Sequence, residues 1–113
     1  MKKILIAGLF LFSVFVVYGK EYYRNDDDSI YNFYSRVIVE KSVVKIITNG
    51  VDKKDKNRKF TKILTGELKG DKIYISKMKY NDMPERAVPV EVSTYKELKG
   101  KIVIDNYEFI EKK

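Results

Sequence analysis

An all-β, mainly antiparallel domain is predicted, built as a small barrel or a strongly bent sheet with at most one short helix. Three features of the sequence point to it. Residues 30–48 are rich in β-branched and aromatic side chains, with Phe33, Val37 and Val39 on one face at period two and Asn32, Arg36 and Glu40 on the other. Residues 60–68 and 72–80 form two strand-like arms around Lys69-Gly70-Asp71, a compatible hairpin turn. The second arm is apolar on both faces, with Ile73 and Ile75 on one and Tyr74, Met78 and Tyr80, beside Ser76, on the other. A strand covered on both sides suits a closed or nearly closed barrel better than an isolated ribbon.

The chain begins with a different kind of segment. Met1-Lys2-Lys3 is positive, and an apolar run extends from Ile4 to Tyr18, broken only by Gly8 and Ser13. The run is shorter than the roughly 20 residues that span hydrocarbon and matches a signal-peptide core. Val17-Tyr18-Gly19 supplies compact residues at the positions a signal peptidase reads, so cleavage is expected between Gly19 and Lys20. An uncleaved N-terminal membrane anchor is the alternative. The expected location is therefore the periplasm or the extracellular space of a bacterial-type cell. The chain has no cysteine, which excludes both disulfides and the lipidated cysteine of a lipoprotein.

Residues 20–29 read as a polar leader, because Asp26, Asp27 and Asp28 repel one another and favour solvent. They lack the alternating ligand spacing of a calcium loop. A single domain is then expected over residues 30–113. Glu40-Lys41-Ser42 marks a bend, Val43 to Thr48 resumes the strand, and Asn49-Gly50 is a strong turn dipeptide. Residues 51–59 are the most charged stretch and are expected to be an exposed loop. Gly66, inside the first arm of the hairpin, signals a bulge or a sharp bend. Pro84 and Pro89 delimit a loop over 81–89, with Val90 and Val92 as a short edge strand. Thr94 and Glu97 stand at capping-box spacing, so 94–98 is expected to form one helical turn. Ile102 to Ile110 reads as the last strand, bent at Asp105-Asn106.

One stretch resembles a known family. Phe60-Thr-Lys-Ile-Leu-Thr-Gly-Glu-Leu-Lys-Gly-Asp-Lys-Ile-Tyr-Ile75, preceded by Ser35-Arg36-Val37-Ile38-Val39, is similar to the extracytoplasmic β-domain of YibE/F-like membrane proteins. The likeness covers about residues 35–76 and rests on two glycines and alternating apolar residues. It implies an OB-like or related small barrel and carries no catalytic residues. The membrane-spanning helices that follow in that family have no counterpart in this sequence.

Composition narrows the chemistry. With 23 Lys and Arg against 16 Asp and Glu, the formal charge is +7, which favours anionic polymers or surfaces and acidic envelope proteins as partners. Nucleic acid is not expected, because no aromatic interleaves the basic residues of 51–59. There is no histidine. The commonest general base and both usual transition-metal ligands are thus missing, and no cofactor or metal is expected. Ser76 cannot pair with Lys77 or Lys79, which lie at odd spacings on a strand. A hydrolase would need a carboxylate pair drawn from Glu67, Glu91, Glu97, Asp105 and Glu108.

The expected function is a non-catalytic binding module of the envelope or the secreted fraction. Its expected contacts are loops 51–59 and 81–89, with Lys53, Lys54, Lys56, Arg58 and Lys59 as the candidate electrostatic contacts unless the first stretch is only a solvated hairpin tip. Tyr74, Tyr80, Tyr95 and Tyr107 are the candidate aromatic contacts, or else core-lining residues. A secreted inhibitor or adhesin using the rigid 84–89 segment is the alternative, and a small carboxylate-dependent hydrolase is the third reading.

Overall fold

The computed structural model describes residues 19–112. The signal segment and its anchor alternative fall on residues 1–18, outside the described residues. Eight antiparallel strands follow one another: β1 (Lys20–Asp27), β2 (Tyr31–Glu40), β3 (Val43–Asp52), β4 (Lys59–Lys69), β5 (Lys72–Tyr80), β6 (Arg86–Leu98), β7 (Lys101–Ile104) and β8 (Tyr107–Glu111). Each pairs with its sequence neighbours, and β8 returns to β1, closing an up-and-down barrel. The expected all-β antiparallel barrel is thus found in its closed form. Its order is a simple meander of eight strands, where an OB barrel has five in Greek-key order.

Cross-strand partners share a face, so the register sorts the side chains. The inward row Tyr22, Val37, Ile46, Leu64 and Met78 runs across five strands. Below it Val44, Ile73, Ile75, Tyr95, Ile102, Ile104 and Phe109 complete the buried core. At mid-height the outward positions mix Glu21, Arg36, Lys45, Lys77 and Lys79 with Tyr23, Ile38, Ile47 and Ile63, so that charges interrupt every apolar row. An outer wall so charged has no continuous apolar band of the kind a membrane-spanning barrel requires. No helix among the described residues is long and apolar enough to cross a membrane.

The two ends of the barrel are built differently. At the closed end the turns are two residues long. Gly70 has φ 64° while Asp71 keeps an ordinary φ, the combination a type II′ turn needs. Gly66 touches the core here: a Cβ would meet Ile73 Cγ2 at 2.8 Å and the Tyr74 carbonyl oxygen at 2.9 Å. The register shifts beside Gly66, as expected for a bulge. At the open end stand the longer connections 28–30, 53–58 and 81–85. The β7–β8 hairpin is short. It pairs β6 only at Tyr95–Leu98 and β1 only at Tyr22 and Tyr23. Above that level β1 and β6 each have one unbridged edge, and the wall is notched between them.

Several expectations are corrected. Residues 20–27 are β1 rather than a leader, because Tyr22 fills the core and the backbone pairs with β2 along its whole length. Asn49-Gly50 lies inside β3 rather than in a turn. Gly50 is there because the Phe60 ring covers it; a Cβ would stand 2.2 Å from Phe60 Cε2. The loop 81–89 shrinks to 81–85, since β6 starts at Arg86. The helical turn at 94–98 is strand: Thr94 directs its hydroxyl and amide to Asp105 Oδ1, and no capping box forms. Asp105 and Asn106, with φ of 49° and 74°, form a type I′ turn that splits the expected last strand into a hairpin. Finally, the irregularity at Ser76 inverts the alternation in β5. Ile73 and Ile75 therefore face inward together with Met78 and Tyr80, and Tyr74 faces out.

Candidate functional site at the open end

The inner face changes character with height. Above the apolar row, Arg24, Ser35, Thr48, Lys62 and Tyr80 stand as successive cross-strand partners on β1 to β5. Ser35 and Thr48 share a hydrogen bond of 3.3 Å between their hydroxyls. Above them lies an aromatic rim. Phe60 sits edge-on to Tyr31 at 5.5 Å and to Phe33 at 6.3 Å, and stacks on Tyr80 at 5.9 Å. These are distances at which aromatic pairs attract beyond their buried area. Gly50 makes the arrangement possible by leaving Phe60 room to lie flat against the wall.

Beside the rim, Met78, Tyr80, Met83, Pro84 and Arg86 line a slot of about 310 Å³. Met83 is 61 % exposed and Tyr80 39 %, so a large apolar surface at the mouth faces solvent. On the outer flank Asn49, Asn57, Thr61, Asn81 and Asp82 line a shallower depression of about 750 Å³. Its polar groups are largely engaged with one another. The Thr61 hydroxyl donates to Asn49 Oδ1 at 2.6 Å, and the Thr61 amide to Asn81 Oδ1 at 2.9 Å.

The basic loop is more ordered than its composition suggests. Asp52 is buried at the end of β3 and accepts the amides of Lys54 and Asp55 on Oδ1, at 2.8 and 3.1 Å. Those backbone donors hold its carboxyl below the usual carboxylate range, helped by Arg58 at 3.7 Å. Lys53 reaches Asp27 at 2.7 Å, tying the 53–58 loop to the β1–β2 tip. The aspartate run is likewise built into structure. Asp28 accepts the amides of Ile30 and Tyr31, which lowers its pKa and shapes the turn.

The structure thus brings Lys53, Lys54, Lys56, Arg58 and Lys59 to the same end as Tyr80. Tyr107 lies at the notch, under the Arg24 guanidinium at 4.9 Å. Tyr74 faces out from the lower wall, where Lys69 lies over its ring at 5.6 Å. Tyr95 is a core residue at 8 % exposure and offers no surface contact. Burial pushes its hydroxyl pKa up to about 12, with Tyr22 and Glu97 adding to the shift. Gly19 and Lys20 lie at the closed end, where β1 begins.

Four of the five candidate acids have partners of their own. Glu67 pairs with Lys69, Glu97 with Lys20 and Glu108 with Lys101, while Asp105 accepts from Thr94. Among the described residues no group of three or more side chains could hold a metal ion. The sequence reading missed Phe33, Phe60 and Lys62 as site residues, whereas Met83 and Arg86 fall in the 81–89 segment it expected to be a contact loop. The signal common to Phe33, Phe60 and Lys62 is inward placement on the upper halves of the strands, which depends on register rather than on residue type. Comparison with family models, curated proteins and solved structures finds no match.

Proposed function

We propose that this chain is an exported, non-catalytic binding module that meets its partner with the open end of the barrel. One observation carries the reading: the partly exposed rim of Tyr31, Phe33, Phe60 and Tyr80 stands at the same end as the basic 53–58 loop. Among the described residues, the opposite end has only two-residue turns over a filled core. Aromatic groups held rigidly beside cations give a surface high contact area at low entropic cost. Export is supported by the composition of the N-terminal segment. The inhibitor or adhesin reading uses the same end, through Met83 and Pro84 in the 81–85 loop.

Photo-cross-linking in cells tests the proposal. A photoreactive residue at Lys54 or Met83 is expected to trap a discrete adduct, and one at Lys99, in the turn at the closed end, is not. Adducts from Lys99 alone, or from none of the three, contradict it.

A further inference from the structure

The slot beside the rim has one cation in its lining and a second on the neighbouring strand. Arg86 lines the slot and is the cross-strand partner of Met78; Lys62 is the cross-strand partner of Tyr80 on the other side. Both therefore belong to the inner face, on the two strands that flank β5. Among the described residues neither forms an ion pair: every salt bridge of the barrel joins other groups.

Inward charges on a β-sheet have a well-understood structural use, which is to spoil pairing at an exposed edge. That use covers Arg24 and Arg86, since β1 and β6 are unbridged at this height. It does not cover Lys62, which stands in the middle of β4 with β3 and β5 paired on either side. Lys62 is also only partly exposed, and its inward neighbours Thr48, Leu64 and Tyr80 carry no negative charge. A lysine so placed has no counter-ion among the described residues, and an anion arriving from outside would supply one.

Resting on the reading of the open end as the binding end, we infer that the slot takes a small organic anion. Its apolar body lies along Met78, Tyr80, Met83 and Pro84, and its carboxylate or similar oxyanion lies between Lys62 and Arg86. Methionine suits the apolar part, because its unbranched thioether adapts to different shapes. About 310 Å³ is at the lower end of the range for small-molecule sites, so the occupant is a compact acid or the first part of an acyl chain. The notch between β1 and β6 gives it a lateral way in.

Titrating the purified protein with decanoate, and separately with decanol, tests the inference. Decanoate is expected to bind saturably at one site, and decanol about tenfold more weakly or less, since a charge-assisted contact is worth about that factor. Arg86→Gln and Lys62→Met should each weaken decanoate about tenfold and leave decanol unchanged. If Lys62→Met does not fold, Arg86→Gln at its exposed position decides the matter. No saturable decanoate binding, equal affinity for the alcohol, or variants that bind like the parent overturns the inference. If open-end cross-links form while decanoate fails, the anion site alone is wrong. If those cross-links are missing as well, the reading beneath it fails too.

Discussion

The closed and open ends of this barrel use the same eight strands for opposite purposes. At the closed end Val37, Val44, Ile73 and Ile102 are completely buried, and tight turns seal the floor. At the open end the strands run past their last core residue, and their inner face carries aromatics, hydroxyls and cations that the core does not need. Stability resides in the first region, and the second is the one proposed for recognition. The difference shows that a barrel of under a hundred described residues can keep one end free of packing duty, provided the other end is filled completely.

The strongest way to break this comparison is to open the floor. Ile73→Ala or Ile102→Ala removes a fully buried side chain, and chemical denaturation should show a loss of about 2–5 kcal/mol. A smaller loss is expected from Gly50→Ala, where the new methyl group collides with Phe60. Overpacking of this kind costs about 1–3 kcal/mol. Combining it with Phe60→Ala should be clearly less damaging than the sum of the two, because they share one contact. Additive losses would mean that Phe60 does not lie over Gly50.

Acid sharpens the comparison from the other side. Asp26, Asp28, Asp52 and Asp105 are all held below the ordinary aspartate range, chiefly by backbone or side-chain hydrogen bonds to the carboxylate. Their unfolded-state pKa is therefore the higher one. The stability they contribute is present above about pH 4 and is lost as the pH falls through their folded values. A thermal melt followed from pH 7 to pH 2 should show that decline, and the protection of the Lys54 and Asp55 amides against exchange should fall before that of the core. Alkali works in the reverse sense. Tyr95, at about 12 when folded, keeps its proton beyond the unfolded tyrosine value. Stability then holds below about pH 10 and drops as the pH rises toward the folded value. Absorbance titration should find Tyr95 ionising above the unfolded tyrosine value, and Tyr95→Phe should flatten the alkaline drop. The smallest effect is expected at the open end: Lys54→Gln should change stability by no more than about 0.5 kcal/mol.

The sequence made the middle of the barrel legible and left both flanks obscure. From Ile30 to Tyr80 the β-branched alternation marks β2 to β5, and Gly66 and Gly70 signal a bulge and a turn at the right places. β1 was hidden because three consecutive aspartates look like loop, although Asp26 and Asp27 are strand and Asp28 builds the turn. β6 was read only as a short edge strand at Val90 and Val92, its start obscured by its proline and its end by a capping-box spacing whose threonine serves Asp105 instead. The site was least legible. Which face of β5 looks inward depends on one irregularity at Ser76, and whether Lys62 faces the cavity depends on the register of three strands. Neither is a property of a local window. Export is read from the composition of the N-terminal segment alone, and the open end enters only the proposed contact with a partner.

Native-state amide exchange is the most direct test of the division between the ends. Amides of Val37, Val44, Ile73 and Ile102 are expected to exchange only through global unfolding. Those on the unbridged upper edges, 24–27 and 86–92, are expected to exchange orders of magnitude faster through local opening. Equal protection from floor to rim would contradict the account, because it would require a wall without a notch and an open end as rigid as the closed one.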